Sequence, residues 1–166
     1  MRPPREWLVL HVKPRTEKKV MFWLAHYECP RYLPTYTKVR KVQRRKVRTE
    51  LPLFPGYVFT CLTPEQRVLM LRTNLLVHTL PVLNPRELVH QLRQINRVLK
   101  VPGLEMKKLA HTFKAGDYVR VKAGSFRGTE GYVKYDGVQA HICLNVESLG
   151  TAVEIVISPA DIEKIH

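Results

Sequence analysis

Acidic side chains, cysteine and long apolar runs are all scarce in this sequence, and each shortage removes a class of protein. The three cysteines (Cys29, Cys61 and Cys143) are far apart and odd in number. They form no Cys-x-x-Cys pair, which argues against a disulfide framework or a zinc ribbon and suits a reducing interior. The nearest ligand-like spacing is His26 with Cys29, and nothing completes it, so no metal is expected. No stretch approaches ~18 consecutive apolar residues, and the opening Met1–Trp7 lacks the apolar run of a secretion signal. A cytoplasmic protein with no membrane partner is the expectation. No carboxylate pair, Ser/Cys–His arrangement or phosphate-cradling glycine loop stands out, and the seven histidines are scattered. The chain therefore reads as a non-enzyme without a cofactor.

The acid shortage is local. Residues 1–100 hold 20 Lys+Arg against 6 Asp+Glu, and residues 101–166 hold 8 against 8, so the whole net charge of +14 sits in the first part. Charge confined to one module points to a polyanion bound by that module, since a solubility charge would be spread over both. An apolar content of 45% excludes a disordered basic tail.

Periodicity divides the chain at the same place. Trp7–Val12 reads as a buried strand, and Val20, Leu24 and Tyr27 recur at helical spacing with Lys18 and Lys19 on the opposite face. Residues 35–50 alternate weakly through Tyr36, Val39, Val42 and Val47, which suggests a β-hairpin arm. A kinked Leu51–Gly56 entry leads into a strong strand through Leu62. Thr63-Pro64-Glu65 opens a helix to about Arg72 with its cap and first-turn proline in order. Leu75–Val82 is a further strand, and Asn84 starts a third helix with Leu88, Leu92, Ile95 and Leu99 inside. Residues 101–112 show no periodicity and read as a linker. Beyond them come short glycine-separated strands, including a clean alternation of Val138, Ala140, Ile142, Leu144 and Val146. The fold class is α+β: an N-terminal α/β sandwich over 1–100, with helices on an antiparallel sheet, linked to a small SH3-like β-barrel over 113–166.

Two motifs and their order carry a family resemblance. Gly116-Asp-Tyr-Val-Arg-Val-Lys-Ala-Gly-Ser-Phe-Arg-Gly-Thr-Glu-Gly-Tyr-Val133 resembles the KOW motif. Its Gly124, Gly128 and Gly131 suit tight barrel corners. Pro52-Leu-Phe-Pro-Gly-Tyr-Val-Phe59 resembles the signature of the NusG N-terminal domain. With the opening strand and helix, the frame resembles the NusG/RfaH family of transcription elongation factors over nearly the full length.

That resemblance implies a monomer that bridges the RNA polymerase cleft, docks on the clamp helices and discourages pausing. The matching docking positions are Trp7, His11, Phe54, Tyr57 and Phe59. It also places Lys13, Arg15, Thr16, Lys18, Lys19 and Arg72 near upstream or non-template DNA. There the cations would supply affinity, and Thr16 or Trp23 would supply base preference. In the barrel it marks Phe126 and an apolar residue between the last long strands, here Leu149, as a contact for the ribosome. The family's general factor usually has phenylalanine at that place, and leucine weakens the case for Rho. Independently of the resemblance, Lys38, Arg40, Lys41, Arg44, Arg45, Lys46 and Arg48 form a run without an acid, which favours a phosphate partner. Charge alone does not choose between DNA and nascent RNA.

Three functions remain in view: a specialised NusG paralogue acting on selected operons, the general NusG factor, and a structural RNA-binding KOW protein of the ribosome. The last would carry cations on its barrel, whereas 101–166 is net neutral. The basic N-terminal part and Leu149 favour the paralogue.

Overall fold

Alternation in the first strand creates a two-faced sheet. In β1 (Glu6–Val12), Leu8, Leu10 and Val12 point to one side, and Trp7, Val9 and His11 to the other. The computed structural model describes residues 3–102, 106–109, 116–135, 140–157 and 161–165. Its chain divides into two units, Met1–Leu83 and Asn84–His166.

In the first unit β1 is followed by α1 (Glu17–His26), β2 (Arg31–Tyr32), β3 (Thr35–Val42), β4 (Arg45–Pro52), β5 (Tyr57–Leu62), α2 (Pro64–Arg72) and β6 (Leu76–Pro81). Four strands form an antiparallel sheet in the order β2-β5-β1-β6, while among the described residues β3 and β4 pair only with each other. One face of the sheet is the core. Leu8, Leu10, Val12, Val58 and Leu62 pack there against Val20 and Leu24 of α1 and Met70 of α2. The amphipathic stripe of α1 dictates this packing, because Val20 and Leu24 lie one turn apart. The α2 start is a complete capping box: the Gln66 N–H donates to Thr63 Oγ1 at 3.2 Å, and the Thr63 N–H donates to Gln66 Oε1 at 3.0 Å.

The second unit contains α3 (Pro85–Leu99), β7 (Met106–Leu109), β8 (Tyr118–Val121), β9 (Glu130–Tyr135), β10 (Ala140–Val146), β11 (Thr151–Ile157) and β12 (Ile162–Lys164). A short 3-10 turn, Glu147–Leu149, joins β10 to β11. The strands form one antiparallel sheet in the order β12-β8-β9-β10-β11-β7. Val119, Val121, Ile142, Leu144, Val146, Val153 and Ile155 are buried in it. At two turn positions a side chain would be strained: Gly124 and Gly128 have φ of 78° and 84°.

Two features of this unit differ from the sequence reading. Helix α3, expected within 1–100, groups with the strand-rich unit. Its Gln94 Oε1 accepts from the Glu130 N–H at 3.0 Å, His90 Nε2 lies 3.2 Å from Tyr118 Oη, and Arg97 donates to the Gly128 carbonyl. Burial, then Glu130 and Glu87, push the Tyr118 hydroxyl up to about 12, so it stays neutral beside His90. The other difference is β7, which lies inside the 101–112 stretch read as linker and pairs with β11. Residues 103–105, 110–115, 136–139, 158–160 and 166 of the expected linker and barrel, Val138 among them, lie outside the described residues.

Replacing Thr63 with Ala removes the acceptor of the Gln66 N–H and leaves the backbone N–H of residue 63 its bond to Gln66 Oε1. The first unit should lose about 1 kcal/mol. Both tryptophans, Trp7 and Trp23, lie in that unit, so urea unfolding followed by Trp fluorescence reads the loss directly. An unchanged midpoint would show that the cap contributes nothing.

Candidate functional site

A single buried carboxylate organises the corner where β1, α1 and the Pro52–Phe59 segment meet. Glu17 opens α1, is only 8% exposed, and accepts a hydrogen bond from the Gly56 N–H at 2.9 Å. The Gly56 carbonyl in turn accepts from the Val12 N–H at 2.8 Å. Gly56 holds φ at 85°, where an L side chain is strained, so the turn needs the freedom of glycine.

Above this corner lies an aromatic cluster on the sheet face opposite the core. His11 pairs across the sheet with Tyr57 on one side and His78 on the other. The His11 and Tyr57 rings stack at 5.0 Å, and His78 meets His11 edge-on at 4.7 Å. The two facing Nδ1 atoms are 3.4 Å apart, so one donates and the other accepts. Trp7 shares the face and is half-buried. Phe54 and Phe59 are 1% and 0% exposed and meet edge-to-face at 6.2 Å, which places them beneath the surface in this structure. Of the five docking candidates, Trp7, His11 and Tyr57 retain accessible surface.

The cations form two groups. Lys13, Arg15, Lys18 and Lys19 are exposed around the start of α1, and Arg72 is exposed at the end of α2. Lys13 Nζ donates to Asn74 Oδ1 at 3.1 Å, and the Lys13 N–H donates to the Leu75 carbonyl at 2.9 Å, which joins the β1–α1 and α2–β6 loops. Thr16 spends its hydroxyl on the Lys13 carbonyl at 2.7 Å and does not cap α1. Arg15 and Asn74 both have positive φ, 62° and 57°, at a cost of on the order of 1 kcal/mol each for a side chain in that region. Lys18 and Lys19 occupy the first turn of α1, where the helix dipole disfavours cations, so they do not add to the stability of the helix. On the same helix Phe22 is 65% exposed, whereas Trp23 is partly buried against the core. The aromatic available for stacking is thus Phe22, which the sequence reading passed over in favour of its neighbour.

The second group is the hairpin. Thr35 Oγ1 donates to Glu50 Oε1 at 2.7 Å near its base, and the Leu53 N–H donates to the Pro34 carbonyl at 2.8 Å. Every residue from Thr37 to Glu50 is exposed. Lys41 stands directly opposite Lys46, an arrangement that weakens an isolated ribbon. Among the described residues none of the seven hairpin cations makes a salt bridge.

Comparison with known proteins decides the family. The model of the family described as NusG, transcription termination factor nusG, matches residues 5–110, which takes in the aromatic cluster and both cation groups. The chain belongs to the NusG family. A solved structure of Thermotoga maritima NusG, from work on domain interaction in that protein, is similar at 22% identity over 98% of each chain, with a TM-score of 0.46. No curated protein matches.

NusG family factors are non-enzymatic transcription elongation factors that bind RNA polymerase. In this NusG family member two ion pairs lie in the barrel: Arg120 with Glu130 at 2.6 Å and Lys164 with Asp117 at 2.8 Å. Phe126 and Leu149 are half-buried, Leu149 at the end of the 3-10 turn. Among the described residues no three His, Cys, Asp or Glu side chains gather as metal ligands, and burial pushes the Cys29 and Cys61 thiols up. Among the described residues no helix is long and apolar enough to cross a membrane.

Glu17→Ala leaves the Gly56 N–H without its acceptor and should cost the first unit about 1–3 kcal/mol, whereas Glu17→Gln, which keeps a carbonyl acceptor, should cost less. Parallel urea titrations separate the two. Equal losses would mean that the charge, and not the hydrogen bond, holds the corner.

Proposed function

We propose that this chain is a specialised elongation and antitermination factor that docks on RNA polymerase through Trp7, His11 and Tyr57 and holds nucleic acid with its two cation groups. The observation that carries this reading is the hairpin: seven cations and an exposed ribbon without a salt bridge among the described residues. A solvated arm of that charge density repels itself, and a polyphosphate backbone relieves the repulsion.

The aromatic cluster suits the protein partner. Stacked rings beside half-buried apolar surface are the composition of interface anchors, and Phe54 and Phe59 of the same segment are buried. Upstream or non-template DNA is the first nucleic-acid candidate for Lys13, Arg15, Lys18, Lys19 and Arg72, with Phe22 as a stacking platform; nascent RNA is the second. The barrel, whose residues 101–166 carry no net charge, would meet a protein around Phe126 and Leu149, with the ribosome as the expected partner. The charge balance of 101–166, 8 Lys+Arg against 8 Asp+Glu, disfavours a structural RNA-binding role, which calls for an excess of cations on the barrel. The general NusG role is the competing reading, and selectivity for one leader distinguishes the paralogue from it.

Single-round transcription with bacterial RNA polymerase on pausing and terminator templates tests the whole proposal. Shortened pauses and read-through are expected, confined to templates that carry one leader element. Effects on every template would indicate the general factor, and none on any template would remove the elongation reading.

Two variants separate the surfaces. Lys41→Ala, Lys46→Ala and Arg48→Ala together should reduce the slope of log affinity against log salt by about 2–3 for DNA while polymerase binding stays within twofold or so. An unaltered slope would take the arm out of the account. His11→Ala with Tyr57→Ala should weaken polymerase binding by roughly tenfold or more with an unchanged melt by circular dichroism; unchanged affinity would disqualify the aromatic face.

A further inference from the structure

The hairpin displays its cations on both faces, and its turn is strained. Register puts Lys38, Arg40 and Arg45 on one face and Lys41, Lys46 and Arg48 on the other, because directly opposed residues share a face. Val42 pairs with Arg45, so Gln43 and Arg44 alone form the turn. Their φ values are 45° and 67°. Such a two-residue turn is relaxed with Asn-Gly, and a long side chain at each position is held against a backbone penalty. Strain kept at an exposed tip points to a use for the side chains that cause it.

We propose that the β3–β4 hairpin enters the major groove of double-stranded DNA and that Gln43 and Arg44 read base edges there. This deepens the nucleic-acid contact proposed above and rests on it. A single strand laid on the ribbon offers one phosphate backbone and engages one face. A groove has a phosphate wall on each side, which matches cations on both. The B-form major groove, about 12 Å wide, admits a two-stranded ribbon, whereas the A-form groove of duplex RNA is deep and too narrow.

The reach is sufficient. Thr37–Val42 is exposed, and its six residues span about 20 Å at ~3.4 Å each, more than the groove depth of about 8.5 Å. With the tip at the groove floor, Arg40 and Lys41 on one strand and Lys46 and Arg48 on the other stand near the rim, level with the phosphates. Gln43 and Arg44 are then left facing bases. Glutamine pairs in bidentate fashion with adenine, and arginine with guanine, through their major-groove edges. Gln43 contributes no charge, so the electrostatic reading of the arm had no role for it.

The test is in vitro selection with the full-length protein on short duplex DNA carrying a randomised core, run beside duplex RNA and single-stranded DNA pools. Two variants accompany it. Gln43→Asn with Arg44→Gly gives the relaxed turn, keeps the ribbon folded and removes both reading groups. Lys41→Ala with Lys46→Ala removes rim charge. The native chain should enrich a duplex DNA motif bound on the order of ten- to a hundredfold better than scrambled duplex. The tip variant should still bind duplex DNA but lose that preference, and the rim variant should lose affinity for motif and scrambled duplex alike.

Duplex binding without enrichment, or enrichment that survives in the tip variant, would overturn base reading and leave the phosphate contact standing. Preference for duplex RNA or single strands over duplex DNA would overturn the groove. Failure to bind any pool would overturn the underlying nucleic-acid reading as well.

Discussion

The hydrogen bond from the Gly56 N–H to Glu17 fixes the geometry on which both candidate surfaces depend. It ties the start of α1 to the turn that feeds β5, while the Val12 N–H to the Gly56 carbonyl ties that turn to the end of β1. His11 and Tyr57 stand on one side of this corner, and Lys13, Arg15, Lys18 and Lys19 on the other. A buried carboxylate is costly unless satisfied, and here the backbone N–H of a glycine satisfies it. The aromatic and cationic groups are thereby held in one rigid relation by α1 and the sheet.

The two units handle charge in opposite ways. In the strand-rich unit Glu130 alone engages Arg120, His90 and, through its N–H, Gln94. In the first unit the cations are left to solvent on an arm whose acids are confined to its base at Glu50. Internal pairing makes a surface indifferent to polyanions; unpaired display makes it sensitive to them and to salt.

Much of the architecture was legible in the chain because local rules and the tertiary result agree. Thr63-Pro64 with Gln66 announces α2, alternation from Ala140 to Val146 announces β10, and valines among cations at 39, 42 and 47 announce the ribbon. Other features lay beyond local rules. An amphipathic stripe in α3 says that Leu88, Leu92 and Ile95 are buried, but not against which unit. Tyr57 and Phe59 share a strand face, yet only the structure shows that the first is accessible and the second is not. Adjacent Phe22 and Trp23 differ by one helical step, about a hundred degrees, and that step decides which is exposed. Asn74 gave no signal, since its bond to Lys13 joins loops sixty-one residues apart.

The hairpin has a second consequence, in the behaviour of the protein in solution. A two-stranded ribbon has two free edges, and Val39, Val42 and Val47 lie exposed along it. Free edges lined with β-branched residues template pairing between molecules. Here the flanking lysines and arginines act as gatekeepers, because two copies aligned edge to edge would bring fourteen cations together, seven from each. The charge that suits the arm to a phosphate backbone therefore also opposes edge-to-edge pairing of the arm with a second copy.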